Sequence, residues 1–492
     1  MNHQNLIQLL EATAARVPEG RAVADRETVF TFAGLREAAR ALGGLLLARG
    51  LGGKTVAVVA RHEAWTPVLF FGVLWAGGVY VPLDEDQPRE KRAKILLNSG
   101  AALTLSHGGS FEGSLDVTPE LLAQAPAANS PETGPEAPAY LVYTSGSTGV
   151  PKGVLKSHGA VLSYLEAFTS LFPFDEGNIL GNQTPFFFDA SAKDLYLMAA
   201  TGACLEVLPQ ELFSFPVRLV AYMNERQVDT VSWVPSALAI VTQLGTFREI
   251  LPVFLKRVFF VGEVFPMKQL NRWREALPQV EYVNLYGSSE IAGVACYYRV
   301  EGTFADGQAL PMGGPLPNCT LRLVAEGKPV TEPEVVGEVY IASPALALGY
   351  FRDPEKTAAS FRTLELGDGV PRRYFATGDM ARYDRAGRLV FAARRDYQIK
   401  HMGRRIELGE IETAADGLEA VQRSCCLYDG ARQKIVLFCQ PAPGAEVTGR
   451  DIRRLLREKL SDYMVPAKVT ILESLPLNQN GKIDRQALQA LL

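Results

Sequence analysis

At 492 residues the chain is longer than one hydrophobic core usually organises, so two or more domains are expected. Hydrophobic residues make up 47% and charged residues 21%, close to ordinary globular proteins, which excludes fibrous and largely disordered classes. A net charge of −4 with no long basic run gives no electrostatic footprint for nucleic acid or an anionic membrane surface. The start MNHQNLIQLLEATAARVPEG lacks the basic region and apolar stretch of a signal peptide, and no window reaches the about 18 apolar residues of a membrane span. A cytoplasmic protein is expected, with Cys204, Cys296, Cys319, Cys425, Cys426 and Cys439 reduced, because they are scattered without metal-ligand spacing.

In chain order, LIQLLEATAARV and LREAARALGGLLLARG place apolar residues at helical spacing, while TVAVVA and YVPLD read as short buried strands. The stretch from Ala123 to Ala139 is rich in Pro, Ala, Ser and Glu and reads as an exposed connection. Beyond it LVYT, VDTVSWV, RVFFVG and VEYVNLY alternate with helical segments such as KQLNRWREAL, the pattern of an α/β fold with parallel sheet, to about residue 330. From Val336 the short alternating runs GEVYIAS, YFATGDMARYD and GRLVFAA predict a small antiparallel or barrel-like unit. Strands CCLYD and KIVLFCQ with helices GEIETAADGL and DIRRLLREKL suffice for a small α+β domain at the end.

The most specific segment runs from Tyr143 to Gly153, YTSGSTGVPKG, between the apolar AYLV and the helix-like AVLSYLEAF. Strand, hydroxyl- and glycine-rich loop, then helix is the geometry of a phosphate cradle. Glycines let backbone N–H groups converge on an anion, Thr144, Ser145, Ser147 and Thr148 offer donors, and Lys152 adds charge. The loop does not match the P-loop pattern GxxxxGK[ST], and taken alone it reads equally well as a flexible solvent loop.

The chain resembles the superfamily of adenylate-forming enzymes: acyl-CoA synthetases, luciferases and the adenylation domains of nonribosomal peptide synthetases. Nearly the whole chain carries the resemblance, through TSGSTGVPKG, GGVYVPLDEDQP, FFFDAS, NLYGSSE, GEVYIASPALALGYF, YFATGDMARYDRAGRL, GRRIELGEIE and NQNGKIDR. It implies a large N-terminal domain of two α/β sheet subdomains plus a small β-barrel subdomain, residues 1–395. A small mobile α+β C-terminal domain, residues 397–492, would follow, with Asp396 as the hinge.

The resemblance also implies roles. ATP would be held by Thr144, Ser145, Gly146, Ser147, Thr148, Gly149, Lys152, Tyr286, Gly287, Ser289, Asp379 and Arg394, with Tyr286 against adenine and Asp379 on the ribose hydroxyls, a task suited to an acceptor-only carboxylate. Glu290 would help hold Mg²⁺ on the ATP phosphates. The family usually has Pro-Thr before that glutamate, and Ser288-Ser289 stands here. Lys482 would reach the substrate carboxylate and α-phosphate during adenylation, and Lys400 would enter the site in the thiol-transfer state. No protein nucleophile is required.

Asp189 falls where amino-acid-activating members carry an aspartate for the α-ammonium group, and a carboxylate beside an apolar FFF run calls for a cation. Lys193, four residues on, is the competing partner. The pocket carried over consists of Asp189, Ala190, Lys193, Ser232, Phe259, Val261, Leu285, Gly293 and Val294. An inward Lys193 favours an anionic side chain such as glutamate, and a Lys193 paired with Asp194 favours a small neutral amino acid. FFVGEVFP resembles the run in stand-alone ligases that load D-alanine onto a carrier protein. The expectation is therefore amino-acid adenylation, then transfer in trans to a carrier's phosphopantetheine thiol, with no nucleic-acid or membrane partner. The alternatives are an acyl- or aryl-CoA synthetase and a non-catalytic relative.

Overall fold

A computed structural model describes residues 3–109, 111–145, 151–306, 308–395, 398–476 and 483–492. At the centre of a nine-stranded sheet, Cys204–Val207, Ile179–Asn182, Thr230–Trp233, Arg257–Val261 and Glu281–Tyr286 run parallel side by side. Helices Asp189–Thr201, Pro216–Glu225, Pro235–Gln243 and Met267–Ala276 connect them, the crossovers that parallel strands require. Antiparallel strands flank this parallel centre, Val29–Thr31 beside Arg21–Ala24 at one edge, and Cys296–Arg299 beside Glu281–Tyr286 followed by Gly314–Pro315 at the other. The central strand Thr230–Trp233 is buried at every position, as expected of a parallel strand covered on both faces.

A seven-stranded sheet holds Thr55–Val59 and Val79–Leu83 in parallel, with Pro138–Thr144 and Lys152–Ser157 further along. One expectation changes here. The glycine-rich loop leads from Pro138–Thr144 into a second strand, Lys152–Ser157, and only then into helix His158–Leu171. The order is strand, loop, strand, helix, so no helix N-terminus follows the loop directly. KGVLKS extends because Val154 and Lys156 are both buried on one parity of a strand.

The segment expected as a small antiparallel or barrel-like unit belongs to a six-stranded antiparallel sheet built on the twelve-residue strand Arg372–Tyr383. The connection before Pro138–Thr144 has neither helix nor strand from 124 to 137, but it is tied down: Trp75 donates to Asn129 O at 3.1 Å and Asn5 to Thr133 O at 2.9 Å. Gly44 makes room for it, since a Cβ there would lie 1.6 Å from Pro126 O.

The chain divides into two compact units. The first comprises 1–85, 99–142 and 153–395; the second comprises 86–98, 143–152 and 396–492. Within the second, strands Val421–Asp429, Lys434–Pro441 and Lys468–Ile471 pack with helices Leu408–Asp416 and Gly449–Lys459 around Ile406, Ile411, Leu437, Ile452 and Leu456. Thr448 and Asp451 cap helix Gly449–Lys459 reciprocally. All six cysteines are buried and free, and no described helix is long and apolar enough to cross a membrane.

Candidate active site

Strand Arg372–Tyr383 pairs along its first part with Phe361–Leu364 and along its last part with Leu389–Arg394. The changeover falls at Thr377-Gly378, where Gly378 takes φ +75°, a conformation that glycine adopts without strain. Asp379 emerges there with 2% exposure, directly opposite Arg394 in the register. Arg394 donates to its Oδ1 at 2.6 Å, and the Tyr286 hydroxyl donates to its Oδ2 at 2.5 Å. These are charge-assisted bonds on both oxygens of a buried carboxylate. Burial, then the Asp379 charge, pushes the Tyr286 phenol well above its ordinary range, so it remains a donor.

Gly287 follows, and a Cβ there would meet Gly293 O at 2.8 Å and Val294 Cα at 2.9 Å. Ser288 Oγ is buried with no hydrogen-bond partner among the described residues, a donor and acceptor available to a ligand. Glu290, 0% exposed, accepts from the Tyr350 hydroxyl at 2.8 Å, and its carbonyl accepts from Ala347 N at 2.9 Å. A single carboxylate held this way fits a Mg²⁺ that travels with nucleotide phosphates, which needs only one or two protein oxygens. Among the described residues no group of three or more His, Cys, Asp or Glu converges as a metal cage.

Asp189 opens helix Asp189–Thr201, and its cation partner is not Lys193. Lys156, 0% exposed, lies 3.2 and 3.1 Å from the two Asp189 oxygens and donates to Ile291 O at 2.9 Å. Tyr140 donates to Asp189 Oδ1 at 3.1 Å. Burial raises the Asp189 carboxyl, and Lys156 opposes that rise most strongly. Lys193 instead bonds Asp194 and, at 2.6 Å, Ser232 Oγ, while Asn182 donates to Asp194 at 3.3 Å. The helix turns both Lys193 and Asp194 inward because the whole of 191–199 is buried against the sheet.

Lys193 and Ser232 line a cavity of ≈ 10 Å³ with Phe168, Phe174, Leu197 and Phe259, room for about one water. Val261 and Leu285 are register partners on adjacent strands and Val294 is buried, whereas Ala190 is exposed, outside the buried lining that the sequence predicts for it. Gly293 has φ +66°, and a Cβ there would fall 2.3 Å from the Tyr164 ring.

In the second unit Ser145 Oγ donates to Arg405 O at 2.7 Å, and Lys152 pairs with Glu407 at 3.2 Å, which Gln398 also contacts. Thr144 Oγ1 is buried and has no hydrogen-bond partner among the described residues, which fits a hydroxyl that meets a ligand oxygen. Lys400 sits on strand Gln398–His401, opposite Arg405. Gly146, Ser147, Thr148, Gly149, Asp396 and Lys482 lie outside the described residues. Lys156, Tyr140, Tyr350 and Glu407 were not anticipated from the sequence. A lysine two residues after Val154 on the buried parity of a short strand was the one available signal.

Residues 10–351 match the family model of the AMP-binding enzyme, and residues 410–482 match that of the AMP-binding enzyme C-terminal domain. The chain is 34% identical over 504 residues to phosphinothricin tripeptide synthetase PhsC of Streptomyces viridochromogenes, covering 99% of this chain and 45% of that one. It is 33% identical over 495 residues to tyrocidine synthase 3 of Brevibacillus parabrevis, covering 98% and 8%. The structure matches that of holo-PA1221, a nonribosomal peptide synthetase protein with adenylation and PCP domains, with TM-score 0.87, 24% identity, and 100% and 84% covered. The chain spans less than half the length of these curated relatives. The chain belongs to the AMP-binding enzyme family, whose members are ATP-using, adenylate-forming ligases.

Proposed function

We propose that this chain activates an amino acid with ATP and passes the aminoacyl group to the phosphopantetheine thiol of a carrier protein, acting in trans in the cytoplasm. The observation that carries the reading is Asp189: a carboxylate with 12% of its side chain exposed, at the start of the helix that also supplies Lys193 to the small aromatic-lined cavity. Its open edge is an acceptor for an α-ammonium group. Because Lys193 is spent on Asp194 and Ser232, a small neutral side chain suits the pocket better than an anionic one.

The substrate carboxylate would attack the α-phosphorus of ATP and expel pyrophosphate. Asp379 and Arg394 would fix the ribose, Tyr286 the adenine, and Thr144, Ser145 and Lys152 with the adjoining loop the phosphates. Mg²⁺ held through Glu290 would neutralise phosphate charge, and Lys482 would stabilise the charge that builds during attack. A rearrangement about Asp396 would then exchange Lys482 for Lys400 and admit the thiol, which attacks the mixed anhydride and releases AMP.

The test is ATP–pyrophosphate exchange across the proteinogenic amino acids, D-alanine, β-alanine and simple organic acids, repeated with Asp189→Ala. One amino acid giving exchange that the variant loses by ~100-fold or more is expected, because Lys156 would then face the substrate ammonium without its counter-ion. Exchange confined to acids without an amino group sinks the reading. The pairing of Asp189 with Lys156 favours a second reading, an acyl- or aryl-CoA synthetase, since the carboxylate already has a cation. Thioester formed on free CoA in preference to a phosphopantetheinylated carrier distinguishes it.

A further inference from the structure

Lys156 has no part in the scheme above, yet it is a completely buried lysine whose ammonium has three acceptors: both oxygens of Asp189 and the carbonyl of Ile291. The Tyr140 ring lies 5.6 Å from the same nitrogen. Of the roughly four lone-pair positions on a carboxylate, Lys156 and Tyr140 together engage three, and the part of Asp189 left exposed supplies the remaining one.

We infer that Lys156 is a specificity-determining counter-ion, which keeps Asp189 compensated when no substrate amine is present and so lets the site accept carboxylic acids both with and without an α-amino group. The inference rests on the amino-acid reading of Asp189. A site that recognises a polar group strictly rejects an analogue lacking it because its own buried partner is then left unsatisfied, which in strict sites amounts to ~10⁴-fold or more. Lys156 removes most of that penalty. An α-ammonium still gains the fourth acceptor position, so amino acids remain preferred, but by a narrow margin. Lys193 has no such effect, being engaged by Asp194 and Ser232 instead.

The experiment compares kcat/KM for ATP–pyrophosphate exchange on matched pairs, namely glycine and acetate, alanine and propionate, and the best acid from the panel with its amino or des-amino counterpart. The readout is the ratio within a pair, which a general loss of activity does not move. In the wild type the amino member is expected to lead by no more than ~10-fold. In Lys156→Met, with Asp189 uncompensated, the lead should widen to ~100-fold or more, through collapse of the des-amino acid. In Lys156→Met/Asp189→Asn, where neither charge remains, the two members should be treated alike.

An unchanged ratio in Lys156→Met overturns the inference. Should that variant not accumulate as folded protein, the double variant carries the test, and a retained amine preference there overturns it equally. If the wild type activates only des-amino acids, the amino-acid reading fails. The role of Lys156 then stands or falls on whether Lys156→Met loses that exchange and the double variant recovers it.

Discussion

Asp379 shows how one residue joins segments far apart in the chain, being bonded to Arg394 fifteen positions on and to Tyr286 ninety-three positions back. Both bonds lie in a buried setting, so removing a partner exposes the cost of the carboxylate left behind. Arg394→Ala should lower stability by about 3–5 kcal/mol, read as a fall in the urea midpoint, because an unpaired buried charge remains. Tyr286→Phe removes one hydrogen bond to a charged group and should lower stability by about 1.5–3 kcal/mol while raising KM for ATP. A KM unchanged in Tyr286→Phe would separate that tyrosine from the nucleotide. The sequence motifs named Asp379 and Arg394, and neither Lys156 nor Tyr140, because a buried ion pair across a fold leaves no spacing rule behind.

At the scale of elements, helix His158–Leu171 joins the first helix through a histidine. His158 Nδ1 accepts from Leu6 N at 3.3 Å, where helix Leu6–Arg16 begins. Burial lowers its pKa from 6.5 to about 4, and burial likewise lowers that of His62 to about 4. Both are therefore neutral in the fold near pH 6, while the unfolded chain already takes up protons there. The stability these two histidines contribute is present above about pH 6.5 and falls as the pH drops toward 4, since at both sites the unfolded state binds more protons over that window. The part of the urea midpoint that His158 contributes should fall between pH 7 and pH 5, so His158→Asn, which keeps an acceptor without a titration, should lose less of its midpoint over that interval than the wild type. A slope equal to the wild type's would remove His158 from the account.

For the whole molecule, the chain passes between the two units at 85/86, 98/99, 142/143, 152/153 and 395/396, and the residues to which the family resemblance gives roles are spread over both. If adenylation and thiol transfer use different lysines, Lys482→Ala should lose pyrophosphate exchange by ~100-fold or more while forming thioester from preformed aminoacyl adenylate within a few-fold of the wild type. Lys400→Ala should do the reverse. Equal loss of both half-reactions in either variant contradicts the division of labour.

Periodicity and ordered motifs, both local properties, were enough for the sequence alone to determine the α/β class, the strands Thr230–Trp233, Arg257–Val261 and Glu281–Tyr286, and the family. They also marked Asp189, Asp379, Arg394 and Glu290. Tertiary structure alone decided that the glycine-rich loop runs into a strand, because whether KGVLKS extends or coils depends on the sheet edge it joins. It alone decided that Lys156 rather than Lys193 compensates Asp189, since that choice is made by which cation the packed sheet and helix bring within 3.2 Å of the carboxylate.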